Sequence, residues 1–160
     1  MRKLLPIFTF LCIAFSITAQ ENIPNVDLKN LNGNEINAKE LSEDKLVVIS
    51  LWATWCVPCL KELDAISYVY EDWQEETGVE LYAVSVDDAR TVKRVRPLIS
   101  GKGWNYHILL DTNNDFKRAL GASSVPLTLL VKNNKVVYRH SGYSPGAEDE
   151  LYEKIKEYAK

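Results

Sequence analysis

The chain has 160 residues, 46% of them hydrophobic and 26% charged, with a formal net charge of −3. That is one domain's length, with too many core-forming side chains for disorder and too little chain for a barrel of eight strand–helix units, which takes ~250 residues. The slight acidity excludes a protein built to hold phosphate backbones, so no nucleic-acid partner is expected.

Met1-Arg2-Lys3, an apolar run from Leu4 to Ile17, and Thr18-Ala19-Gln20 have the anatomy of a secretory signal peptide over residues 1–19. The apolar run is about 14 residues against the roughly 20 needed to cross a bilayer, so cleavage is expected, with membrane anchoring only if the segment is retained. Cys12 leaves with it, and Phe10-Leu11 before it are not the small residues that lipid attachment wants. The exported domain, residues 20–160, then holds two cysteines, Cys56 and Cys59. Two thiols three apart staple no distant segments, and a domain of this size needs no staple, so the pair points to chemistry.

Short apolar pulses around Asn32-Gly33-Asn34 predict an N-terminal β-hairpin. Leu46 to Trp52 is a near-continuous apolar run, as in a buried central strand. One helix is predicted next, with Leu60, Leu63, Ile66, Val69, Tyr70 and Trp73 on one face and Gly78 as its C-terminal cap. Glu80 to Val86 predicts a second buried strand. Asp87-Asp88 then caps a helix from Ala89 to about Ser100, bent or shortened by Pro97. Its Lys93, Arg94 and Arg96 read as a solvated face, because Val92, Val95 and Ile99 mark the buried one. Gly101-Lys102-Gly103 lacks the ending of a phosphate loop and reads as a turn. A strand over Tyr106–Leu110 and a short helix over Asn114–Leu120 follow. Leu127–Val131 and Val136–Arg139 form a hairpin around Asn133-Asn134, and a final helix is opened by Ser144-Pro145. Strands alternating with helices imply an α/β domain whose central sheet has its parallel part covered on both faces.

Trp55-Cys56-Val57-Pro58-Cys59 falls where a buried strand gives way to a helix. Unpaired N–H groups and the positive end of the helix dipole favour an anion there, so Cys56 should ionise below the ordinary ~8.5 of a cysteine. Cys59, one turn in, is close enough to form a disulfide and should be the more shielded thiol. Cys56 would attack a substrate disulfide and Cys59 would resolve the mixed disulfide; the reverse sequence would install one. A structural disulfide or a pair of core thiols are the bland alternatives. No metal is expected: a zinc site needs two further ligands, and His107 and His140 are far apart in separate predicted strands. Covalent haem would need His after Cys59, where Leu60 stands. Val125-Pro126 precedes a strand, and proline belongs at such a start; the local sequence alone favours a trans bond.

Trp52 to Cys59, with Val125-Pro126 about seventy residues on, resembles the thioredoxin superfamily, and the signal segment, added hairpin and insert between Thr77 and Gly121 look like its exported TlpA/ResA-like branch. The resemblance implies a thioredoxin-like fold with a central mixed sheet, helices on both faces and the added N-terminal hairpin. It also implies a cis Pro126 facing the cysteine pair, and a substrate groove lined by Trp55, Val57, Pro58, Val125 and Pro126. No cofactor is implied beyond a redox-active Cys56–Cys59 disulfide. Protein dithiols or disulfides would be its substrates and a membrane thiol–disulfide donor its electron source, in the periplasm or cell envelope, with roles such as keeping apocytochrome c reduced. Two departures bear on mechanism. Ser50 stands where thioredoxins proper keep a buried Asp. Glu62, in contrast, matches a Glu common in the branch three residues after the second cysteine, beside Cys59 on a helix. Glu62 has two readings: a half-buried base for the Cys59 proton, giving a catalytic set of Cys56, Cys59 and Glu62, or a solvated first-turn acid. Asp64, where relatives often have proline, is expected to leave the helix unkinked and to alter the groove rim. Trp52, inside the strand, reads as core.

The leading reading is an exported thiol–disulfide oxidoreductase acting as a reductase. The rivals are a thiol peroxidase and a non-enzymatic module that binds extended peptide. A peroxidatic cysteine would want Thr or Ser three before it and Pro seven before it; Ala53 and Ile49 stand there.

Overall fold

The computed structural model describes residues 21–160, so the expected signal segment lies outside the described residues. Seven strands form one mixed sheet: β1 (Asp27–Asn30), β2 (Glu35–Asn37), β3 (Leu46–Trp52), β4 (Glu80–Ser85), β5 (His107–Leu110), β6 (Leu127–Lys132) and β7 (Lys135–Ser141). Their spatial order is β2-β1-β5-β4-β3-β6-β7, with β3, β4 and β5 parallel and the other neighbours antiparallel. All seven residues of β3 are buried, so the sheet's centre is covered on both faces, as its unbroken apolar run requires. Asn133 and Asn134 both take positive φ in the β6–β7 turn, the backbone that a two-residue hairpin needs.

Among the described residues there are five α-helices, α1 (Val57–Ser67), α2 (Tyr70–Thr77), α3 (Val95–Lys102), α4 (Asp115–Ala119) and α5 (Ala147–Tyr158), with 3-10 turns over Ala38–Ser42 and Val92–Arg94. The single helix expected after the cysteine pair is two. Ser67 Oγ donates to Asp64 O at 2.6 Å, and the amides of Tyr68 and Val69 bond carbonyls only three residues back, which tightens the turn and ends α1. Gly78, in the left-handed conformation, caps α2 as expected.

The helix expected from Ala89 begins as a 3-10 turn over Val92–Arg94 and becomes α-helical only at Val95. Residues 88–91 are held in a turn by the Asp88 carboxylate, which accepts from the Arg90 amide, and by the Asp88 carbonyl, which accepts from Thr91 N. Pro97 then lies in the first turn of α3, where its missing N–H costs nothing. Lys93, Arg94 and Arg96 are exposed and Val95 is buried, which is the solvated face expected. Gly101 and Lys102 finish α3 instead of forming a free turn, and Gly103 caps it. The last helix starts at Ala147, after Gly146, rather than at Pro145.

α5 packs on α1, α2 and β6. Trp73 stacks on Tyr152 with ring centroids 5.2 Å apart, tying α2 to α5. Trp52 is fully buried, edge-on to Trp104, as expected of core.

Candidate active site

Cys56 is the N-cap residue of α1, and its Sγ accepts the Cys59 N–H at 3.3 Å. The two cysteines are joined in a disulfide, with Cα atoms 5.3 Å apart. Cys59 is fully buried and Cys56 is 5% exposed. The first turn of α1 carries no acidic side chain, so nothing there opposes a negative charge on Cys56. Around the pair, Trp55 is 57% and Val57 60% exposed. Pro58 is also exposed, in the first turn of α1. Leu51 pairs with Leu127, which puts Pro126 at the same end of the sheet as the Cys56 loop. The Val125–Pro126 bond is cis, Pro126 is buried, and Val125 is half-buried.

Glu62 lies on α1, one turn beyond Cys59. It is 4% exposed, which removes the reading of a solvated acid. Its carboxylate accepts from Thr128 Oγ1 at 2.7 Å and Ser50 Oγ at 3.3 Å. Burial drives its pKa up to about 7, against the opposing pull of these hydroxyls. Ser50, read only as the loss of an aspartate, is therefore one of its two donors.

Two polar residues were missed as site components. Thr128 is one; like Ser50 it interrupts an otherwise apolar buried strand, and that interruption was the available signal. Asp87, expected as a helix cap, is instead fully buried. It accepts from Thr54 N at 2.8 Å, Thr54 Oγ1 at 2.6 Å and Ser85 Oγ at 2.8 Å, pinning the loop that delivers Cys56. Asp64 accepts from Lys102 Nζ at 2.5 Å and Trp104 Nε1 at 3.1 Å, so it ties α1 to the end of α3. Among the described residues there is no cluster of His, Cys, Asp or Glu suited to a metal ion. No described helix is long and apolar enough to cross a membrane.

Residues 19–140 match the AhpC/TSA family model. The chain belongs to the AhpC/TSA family. The chain is 32% identical over 123 residues to thiol-disulfide oxidoreductase ResA of Bacillus subtilis, covering 76% of this chain and 66% of that protein. The match thus spans just under two thirds of that relative's length. It is 30% identical over 144 residues to the ResA of Halalkalibacterium halodurans, covering 89% and 77%. The solution structure of an uncharacterized thioredoxin-like protein from Porphyromonas gingivalis superposes with TM-score 0.75 at 48% identity, covering 84% of this chain and 90% of that one. The crystal structure of a putative thiol:disulfide interchange protein DsbE from Chlorobium tepidum has TM-score 0.73 at 20% identity over 88% of this chain and 96% of that one, a likeness of fold. The fold is thioredoxin-like, and the named relatives support an oxidoreductase role for this AhpC/TSA-family chain.

Proposed function

We propose that the chain is an exported thiol–disulfide oxidoreductase that reduces disulfides of proteins in the cell envelope, apocytochrome c among the candidates, and is recharged by a membrane thiol–disulfide donor. The observation that carries this reading is a cysteine pair at a helix N-terminus, with the Cys56 sulfur accepting an amide N–H and a buried carboxyl, Glu62, one turn beyond Cys59. The Cys56 thiolate attacks a substrate disulfide, one substrate sulfur leaves, and a mixed disulfide forms. Cys59 passes its proton to Glu62 and attacks Cys56 Sγ; the Cys56–Cys59 bond forms and the second substrate sulfur leaves with the electron pair. With its pKa near 7, Glu62 is poised to take that proton at neutral pH. Exposed Trp55 and Val57, with Pro58, Val125 and Pro126, form the rim against which an extended substrate segment lies.

Replacing Cys59 by Ser in the native envelope tests this. The variant should accumulate envelope proteins linked through Cys56 and released by reductant, and their identity gives the substrate. No covalent capture would leave only a binding module. Direction is tested by the midpoint potential: a value closer to the ~−270 mV of thioredoxin than to the ~−120 mV of the strong oxidant DsbA supports reduction, and the converse overturns it.

A further inference from the structure

A buried acid that takes a proton in every catalytic cycle must release it before the next. Glu62, 4% exposed, has almost no direct access to water. The sheet offers a route. Ser50 pairs with Thr128 across β3 and β6, and Thr128 pairs with His140 across β6 and β7, giving one polar row of three residues. The first two donate to Glu62. Beyond Thr128 lies a cavity of about 10 Å³ whose lining includes Glu62, Thr128, Tyr138, His140, Glu148 and Leu151. That is roughly the space of a single water molecule. His140 is half-buried, so it reaches both the cavity and the surface. Glu148, in the first turn of α5, is fixed on the cavity's other side by accepting from Tyr143 Oη at 3.0 Å and Gly146 N at 3.1 Å.

We propose that His140 is the proton outlet of Glu62: its imidazole takes, through one water in the shared cavity, the proton that Glu62 received from Cys59, and hands it to solvent while Glu148 steadies the imidazolium. This rests on Glu62 being the acceptor in the reaction above. The balance is simple. Resolution makes the Cys56–Cys59 bond, breaks the Cys56–substrate bond, sends the electron pair out on the substrate sulfur and moves one proton from Cys59 through Glu62 and His140 to water. Nothing is oxidised or reduced at the histidine.

The groups facing Glu62 leave no better carrier. Ser50 on β3 and Thr128 on β6 are donors to it, and Cys59 on α1 is the source of its proton. On β7, burial pushes the phenol of Tyr138 up to about 12; Tyr143, ahead of α5, is likewise pushed up to about 12, and Tyr106, ahead of β5, is pushed up as well. Glu148 on α5 adds to the rise at Glu62. One ring nitrogen of a neutral imidazole accepts a proton while the other can give one up, which suits the half-buried His140 to pass a proton from cavity to solvent.

The test mixes fully reduced protein with DTNB, a disulfide whose coloured thiolate product stays unprotonated, near neutral pH in weak buffer with a pH-indicator dye. The second thiolate release reports resolution, and the dye change that follows the fraction of a proton shed by Cys56 in the first exchange reports the Cys59 proton reaching solvent. In the unaltered protein the two should coincide. In His140→Gln the dye signal should lag the second release by about tenfold, and in Glu148→Gln by about threefold. A merely structural role would slow both signals together. Signals that stay coincident in both variants overturn the outlet. Glu62→Gln separates the two proposals: its second release should fall about 100-fold, and an unchanged rate would remove Glu62 as acceptor, whatever the histidine variants do.

Discussion

Glu62→Gln should make the oxidised protein more stable at neutral and alkaline pH, even though it impairs the chemistry. In the folded chain the Glu62 carboxyl sits at about 7 rather than 4.5, because burial penalises its charged form. Between those two values the folded state holds a proton that the unfolded state has lost. The contribution of Glu62 to stability is therefore full below pH ~4.5, falls as pH rises toward 7, and stays low above it. At 1.36 kcal/mol per pH unit the loss is about 3 kcal/mol. Glutamine keeps the shape and the carbonyl acceptor for Thr128 or Ser50 but does not ionise, so it escapes the loss. Urea unfolding of both oxidised proteins across pH 4–9, read as the difference between them, should show the variant gaining about 3 kcal/mol from acid to alkaline pH. A difference that does not change with pH, or a variant less stable at pH 8, would refute a carboxyl held at high pKa by burial.

Asp87→Ala should cost about 3–5 kcal/mol in chemical denaturation, since it strands the amide and hydroxyl of Thr54 and the hydroxyl of Ser85. Trp52→Phe should cost less than about 1 kcal/mol, because the Trp52 Nε1 has no partner among the described residues and removing a buried unpaired N–H offsets the cavity left behind. Asp64→Ala should cost about 1–2 kcal/mol, because the Asp64–Lys102 pair is one-third exposed on both sides and adds little, while the Nε1–H of buried Trp104 loses its acceptor. A melting-temperature drop as large as that of Asp87→Ala would contradict this.

The sheet was legible where sequence and burial obey the same rule. The apolar run Leu46–Trp52 is β3 residue for residue, and Asn133-Asn134 marks the β6–β7 turn, because a fully buried strand and a tight hairpin each have a narrow choice of residues. The break between α1 and α2 was not legible, since the apolar positions from Leu60 to Trp73 keep helical spacing while Ser67 competes for the Asp64 carbonyl. Asp87 misled for a related reason. An acid after a strand caps a helix in most contexts, but here the turn at Asp88 delays the helix and frees Asp87 to turn inward. At the active site, the position of Cys56 was readable from the strand-to-helix junction. The burial of Glu62 was not, because it depends on Ser50 and Thr128, which lie twelve residues before it and sixty-six after it and meet only across β3 and β6.

The most direct measurement is the ionisation of Cys56 in the reduced protein, followed by the pH dependence of its alkylation rate in a Cys59→Ser background. Held at the N-cap of α1 with an amide N–H directed at its sulfur, Cys56 should titrate at least one pH unit below the ~8.5 of an unperturbed thiol. A midpoint at or above 8.5, with alkylation no faster than in the unfolded chain, would contradict the account.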